Sequence, residues 1–446
     1  MEKVSRLTEG EQVWITSDGW TSCANDTYMS LTLTLITSAW KLVTLSVDCS
    51  KSEGTTTGDA LAAGIKAAVA KHGLTGKVTA VTTDCEPSMV KMGRLLEGDA
   101  TVSTHIGCCN HRLESTTSIV FNGPGVKKVM ALARGLVTLY TTSSQAADRL
   151  KQFVKTYLGV VNKRVIQDVV TRWWSTCSMA ARLIELEVPI KMHEAADKLD
   201  PLLSAAELAV LKMILPVLEP FRNTQTLLEG RKYVTGSLVV PFIYDLRNSL
   251  EDAIEDLAEL PPDSDNNVNT ARAAGPRRQP GGFKPVQVLA TALDPRTKIL
   301  YGVDEDEKPD VWKIVQEEAV KIAVETRNAQ NSQRASSQQG PEAAAGPASS
   351  LTSAGAEESS RKRPRRDKEG TKVYLDPLDW WRVRCADFPH LANLARRVLA
   401  IPATQAESER LFSCAGNIVT KNRNNLAPTT VELLVLLRHS WKIVEE

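Results

Sequence analysis

Ile401-Pro-Ala-Thr-Gln-Ala-Glu-Ser-Glu-Arg410, continued by Leu411-Phe-Ser-Cys-Ala-Gly-Asn-Ile-Val-Thr-Lys-Asn-Arg423, is the stretch on which the fold turns. It predicts a short packed helix. Thr404 and Glu407 have the spacing of a capping box at a helix start, and Gly416 supplies a stop. Leu411 and Phe412 are its apolar anchor, and Glu409 rides mid-helix beside Arg410. One carboxylate on such a helix means little alone. It acquires a role if the tail returns to strands that carry acids at their ends.

Two such strands stand upstream. Val13-Trp-Ile-Thr-Ser-Asp18 ends on Asp18, and Val78-Thr-Ala-Val-Thr-Thr-Asp84 ends on Asp84. In open α/β sheets, sites lie beyond the carboxyl ends of strands. Carboxylates gathered there repel unless a divalent cation neutralises them. Mg²⁺ suits such a place because it takes few protein carboxylates and keeps waters for a phosphate. Two such ions clamp the attacking and leaving oxygens of a phosphodiester. Glu409 is the candidate third carboxylate. The competing reading is that each aspartate closes an Asx turn, the commoner use of a strand-terminal Asp.

The surrounding pattern sets these residues in a sheet. Met29 to Trp40 alternates Thr with Leu and Ile, the period of a half-buried strand, and Lys41 to Cys49 reads as its hairpin partner. Thr56 to His72 is an Ala-rich helix ended by Gly73. Lys77 to Asp84 is a strand, Glu86 to Leu96 a helix and Thr101 to Cys108 a strand. The sum is a mixed sheet with at least one crossover. From about Gly125 to Glu259 the period is helical, as in Val126–Tyr140, Ser144–Tyr157, Met179–Leu199 and Glu207–Leu228. Leu260 to Lys284 and Asn328 to Gly370 are low-complexity stretches that read as disordered linkers, with a helical Val286–Thr326 between them. The regions expected are therefore 1–125, 126–373 and 374–446.

Lys and Arg total 54 against 53 Asp and Glu, so any nucleic-acid contact must be argued locally and not from net charge. No apolar run reaches membrane-span length, so no membrane partner is expected, and the first residues carry no signal core. The eight scattered cysteines fit reduced thiols. Cys108-x-x-His111, with His105 nearby, lacks a second ligand pair, and structural zinc is not expected. Arg361-Lys-Arg-Pro-Arg-Arg366 reads as a nuclear import signal or a nonspecific DNA tether, with the nucleus as the expected location. Pro428 to Val444 carries Val431, Leu433, Leu434, Val435, Leu436 and Leu437. It is apolar nearly all round, to be covered by its own core or by a second chain.

Several motifs in order carry a resemblance. They are Ser17-Asp-Gly-Trp-Thr-Ser22, Thr82-Thr-Asp84, Cys108-x-x-His111, Asp168-Val-Val-Thr-Arg-Trp-Trp-Ser175, Leu293-Asp-Pro-Arg296, Asp376-Pro-Leu-Asp-Trp-Trp381, Phe388-Pro-His-Leu391 and Ser408-Glu-Arg-Leu-Phe-Ser413. Over almost its whole length the chain resembles the hAT-family transposases. The resemblance implies an α/β fold: an RNase H-like mixed sheet interrupted by a large all-α insertion. It implies a catalytic Asp18, Asp84 and Glu409 that hold Mg²⁺ or Mn²⁺ if the chain is catalytic. The acids are 66 (84 − 18) and 325 (409 − 84) residues apart.

It also suggests that Trp173 stacks on a displaced base, with core packing preferred for Trp174, and that Cys108 and His111 support the site and its DNA. Arg172 and Arg410 are candidate phosphate contacts, with structural ion pairing as the alternative. Leu434 and Leu437 fall in what resembles the family's dimerisation region, so the partners expected are DNA and a second copy. Two departures stand out. No BED-type zinc finger precedes the first strand. Cys85, Glu86 and Ser88-Met89 stand where the family has Asn, Ala and Asn-Met. The expected function is a transposase-derived nuclear protein that dimerises and contacts DNA. The alternative is an active Mg-dependent DDE transposase that cuts and joins DNA.

Overall fold

The computed structural model describes residues 2–52, 56–169, 173–259, 283–337, 376–420 and 423–445. At its centre is a six-stranded sheet: β1 (Val13–Thr16), β2 (Gly19–Thr21), β3 (Thr27–Ile36), β4 (Leu42–Lys51), β5 (Val78–Thr83) and β6 (Thr104–Gly107). β3 pairs antiparallel with β4, β1 and β2, while β5 is parallel to β1 and β6 parallel to β5. The first strand is therefore broken. β1 pairs on both sides, β2 only with β3, and Ser17 and Asp18 make the break.

One face of the sheet carries Val13, Ile15, Leu31, Leu33, Leu35 and Val81. Helices Gly58–Lys71 and Pro87–Gly98 cover it through Leu61, Ile65, Val69, Met89, Met92 and Leu96. This is the right-handed crossover layer that parallel neighbours such as β1 and β5 require. Gly93 lets the second helix approach β6, since a Cβ there would stand 2.2 Å from the His105 ring.

The alternation of Thr with Leu suggests one wet face on β3, and the structure corrects this. Thr32 and Thr34 are buried as deeply as the leucines. The returning tail covers them. Helix Pro389–Leu399 packs on the Trp14 face, where Trp14 Nε1 donates to Arg397 O at 2.5 Å. The hydroxyls stay satisfied by bonding one another, as buried polar groups must. Thr16 pairs with Thr32, Thr34 meets Thr44 at 3.3 Å, and Thr16 meets Ser408 of the tail at 3.3 Å.

The middle of the chain is helical: Cys109–Asn122, Pro124–Thr142, Ser144–Leu158, Trp173–Glu185, Glu187–Ala196, Ala205–Leu228 and Val239–Glu259. A separate core of Val129, Leu136, Val137, Leu150, Met179 and Leu183 holds most of them together. A capping box does form here, at Ser204 and Glu207, with Ser204 N donating to the Glu207 carboxylate at 2.9 Å. Val286–Thr326 resolves into helices Pro285–Leu293 and Lys308–Ser337. The second runs past Asn328, so that end of the expected linker is helical, consistent with its Ala, Gln and Arg content. The basic run Arg361 to Arg366 lies outside the described residues.

Candidate carboxylate site

The tail meets the sheet through helix Ala406–Ile418. Its cap differs from the expected box. The helix opens at Gln405, and Thr404 Oγ1 accepts only from Ala406 N, at 3.3 Å. Glu407 does not return to the cap because two cations hold it: Arg231 Nε at 3.3 Å and Arg410 Nη1 at 3.2 Å. Gly416 is no stop either, and the helix continues to Ile418. Leu411, Phe412 and Ala415 pack on Tyr28 and Cys49 of the sheet, with Trp20 stacked on Phe412 at 5.9 Å. Burying Leu411 alone stabilises this docking by about 1.5–3 kcal/mol. Further anchors are Thr82 Oγ1 donating to Pro402 O at 3.4 Å and Cys109 N donating to Ala403 O at 3.0 Å.

This docking brings Glu409 to the carboxyl ends of β1 and β5. Asp18 sits in the strand break. Ser17 N donates to Thr82 O at 3.2 Å, and Ser30 N donates to Asp18 O at 3.0 Å. The half-buried Asp18 carboxyl is pushed up to about 7, first by burial, then by Asp84, with smaller contributions from Glu409 and Glu86 against the Gly19 N–H. Glu409 is raised as well, by partial desolvation first and then by Glu229 and Glu114, while Arg410 and His111 oppose. Its outer face is open to solvent, which screens those charges.

Asx geometry is present at Asp84, while the Asp18 carboxyl accepts only from the residue next to it. Asp84 Oδ1 accepts from Glu86 N at 3.0 Å, and Asp18 Oδ1 from Gly19 N at 2.9 Å. The turn reading therefore holds at Asp84 and not at Asp18, and each aspartate keeps one carboxylate oxygen off the backbone. Among the described residues, no group of three or more His, Cys, Asp or Glu is set closely enough to hold a metal ion as it stands. Asp84 and Glu409 both bear electrostatically on Asp18, but the three acids do not form a ligand set as they stand. Their hard oxygen donors and unneutralised repulsion fit a divalent cation.

Cys108 is fully buried at the start of helix Cys109–Asn122, and burial holds its thiol far above the ordinary value. His111, one turn on, faces Glu409 and Glu114. Arg410 is engaged internally, with Nη2 donating to Glu229 O at 2.6 Å as well as pairing with Glu407. Trp174 is a packing residue, wedged between two cores and donating to Gln225 Oε1. Arg172 lies outside the described residues, and of Trp173 only its place at the start of helix Trp173–Glu185 is described. Of the dimerisation candidates, Leu437 is exposed, whereas Leu434 is partly buried against the tail's own core; Leu433 is more exposed than either.

Glu229 and Glu114 were not legible as site residues. Glu229 takes hydrogen bonds from Asn110 Nδ2 at 2.8 Å and Gln225 Nε2 at 3.1 Å, which fix its carboxylate on the Glu409 side. Both come from helical segments with no strand-end signature. The only hint is Asn110 inside Cys108-x-x-His111. Two recurring motifs prove to be internal pins. Asp294 is bound by Arg296 and by Ser237 Oγ, the latter at 2.7 Å. Asp168 is bound by Arg134 at 2.8 Å and Thr176 at 3.1 Å.

Comparison with known proteins gives two family matches. Residues 359–441 match the hAT family C-terminal dimerisation region, and residues 16–108 match the ZBED1 RNase-like domain. Zinc finger BED domain-containing protein 4 from Homo sapiens is 24% identical over 332 residues, covering 72% of this chain and 28% of that protein. The putative AC transposase of Zea mays is 44% identical over 61 residues, covering 14% of this chain and 8% of that one. The putative transcriptional regulator tpeD of Talaromyces stipitatus is 21% identical over 490 residues, covering 98% of this chain and 55% of that protein. The chain thus spans about a quarter of the human relative and about half of the fungal one.

Proposed function

We propose, from the premise that this chain carries a hAT dimerisation region and a ZBED1-type RNase-like domain and is homologous to BED-finger proteins and AC transposases, that it is a transposase-derived nuclear protein that self-associates and binds DNA. Its core is RNase H-like, interrupted by a helical insertion. The strand order β4-β3-β1-β5-β6, antiparallel on one side of β1 and parallel on the other, supports that reading. The observation that carries the proposal is the return of the tail helix to β1 at Thr16 and Ser408. That docking supports the reading, since it carries Glu409 to where its charge reaches Asp18 and leaves Leu433 and Leu437 exposed. The kinship with BED-finger proteins and a putative transcriptional regulator supports the nuclear assignment. Sedimentation and DNA-binding anisotropy test the reading. A chain that stays monomeric and ignores duplex DNA at low salt contradicts it.

The converging acids favour a second reading, metal-dependent cutting and joining of DNA. Asp18, Asp84 and Glu409 would hold Mg²⁺ or Mn²⁺, and the ion would activate a water or 3′-hydroxyl and stabilise the departing oxygen. The residues' own part is positional. The strand break would position Asp18, the turn at Glu86 would position Asp84, and the bond of Arg410 to Glu229 O would fix the register of Glu409. Supercoiled DNA incubated with the chain and Mn²⁺ should be nicked, and Glu409→Gln should not nick it. Equal nicking by that variant contradicts this second reading.

A further inference from the structure

The sheet edge at β6 carries charge that the fold uses only in part. Arg94 stands on helix Pro87–Gly98, Arg112 on the first turn of helix Cys109–Asn122, and Lys284 just ahead of helix Pro285–Leu293. All three are exposed and converge on one buried side chain, His105 of β6. Lys284 reaches Glu97 at 3.6 Å, whereas neither guanidinium has a carboxylate partner among the described residues.

The imidazole beneath them is spoken for. His105 Nε2 meets Thr83 Oγ1 at 2.8 Å, and burial lowers its pKa, so it adds no charge of its own at neutral pH. Glu97 spends an oxygen on His105 N at 2.5 Å. Arg112 lies close to the strand at Gly107, where a Cβ would stand 3.0 Å from Arg112 Nη2 and 3.0 Å from Cys85 Sγ. Cys85 adjoins Asp84, so this guanidinium borders the acid site. An exposed guanidinium without an internal anion is free to take an external one.

We propose that the β6 edge is a phosphate track, on which Arg94, Arg112 and Lys284 hold successive phosphodiester groups of a nucleic-acid strand whose continuation lies at Asp84. The inference rests on the DNA-binding reading above and adds the path by which the strand arrives. Guanidinium groups suit it because each offers paired donors to phosphate oxygens. The cations also offset the acids, which would otherwise repel the backbone from the site.

The salt dependence of binding tests it. Each phosphate neutralised on duplex DNA contributes about 0.9 to the slope of log affinity against log salt. The full chain is titrated onto a fluorescein-labelled, mixed-sequence duplex of about three helical turns at several salt concentrations. Arg94→Gln with Arg112→Gln should lower the slope by about two, and Arg112→Lys alone should leave it near the wild-type value. Circular dichroism checks that both variants fold. Lys41→Gln, at the far β3–β4 edge, should change nothing. Wild-type binding with an unchanged slope in the double variant overturns this inference and leaves the DNA reading standing. No wild-type binding overturns both. Equal loss from Lys41→Gln, or equal competition by polyglutamate, also overturns it, the latter in favour of an acidic peptide.

Discussion

Asp18→Asn should stabilise the protein at neutral and alkaline pH. In the folded chain the Asp18 carboxyl titrates near 7 against an ordinary 3.8, because burial and Asp84 oppose its charge. Below the ordinary value it is protonated whether the chain is folded or not. Between the two values the folded state keeps a proton that the unfolded chain has released, so rising pH favours unfolding. Above about 7 the whole penalty stands. A gap of about three pH steps corresponds to a ceiling of about 4 kcal/mol, which solvent access to a half-buried group reduces to roughly 2 kcal/mol. Asparagine is isosteric and can still accept from Gly19 N. Urea unfolding in chelator at pH 5.5, 7 and 8.5 should therefore show the variant gaining on wild type as pH rises. Mn²⁺ should close the gap by stabilising wild type alone, by about 2.7 kcal/mol at a hundredfold excess over its dissociation constant. A variant that is less stable than wild type at pH 8.5, or a difference independent of pH, refutes the reasoning.

Other consequences are equally direct. Leu411→Ala, at a fully buried position in the docked tail, should cost about 2–5 kcal/mol; a loss well below 1 kcal/mol in chemical denaturation would mean the tail is not docked. Leu433→Asp with Leu437→Asp should shift sedimentation toward monomer while leaving the unfolding midpoint in place, and a dimer that survives both would move the interface elsewhere. Leu434→Asp should lower the midpoint too, since that side chain packs internally. Asp294→Ala should cost roughly 1–3 kcal/mol because it leaves the partly buried Arg296 and the buried Ser237 without their partner. Adding Arg296→Met should recover part of that loss, and strict additivity of the two changes would exclude the pin.

The sheet, and the placement of Asp18 and Asp84 just past strand ends, are readable because they follow from local rules. Strand-end aspartates and the period-two run at Met29 announce themselves, and the apolar Leu411-Phe412 pair implies a docked helix. What was not readable depended on contacts distant in sequence. The Thr face of β3 looked wet because nothing nearby shows that Ser408 and helix Pro389–Leu399 return to cover it. The Thr404 box failed because Arg231, far upstream, competes for Glu407. Gly416 was tolerated inside its helix, where tertiary packing overrides propensity. Glu229 and Glu114 have no local signature, and their place beside Glu409 depends on how the helical segment folds over the sheet.

The central claim is that a tail helix completes a cation-binding cluster begun by two strand ends. Mn²⁺ titration followed by electron paramagnetic resonance tests it on wild type and Glu409→Gln side by side. The account predicts saturable binding to wild type that weakens by about tenfold or more in the variant. Superimposable titration curves for the two proteins would contradict it.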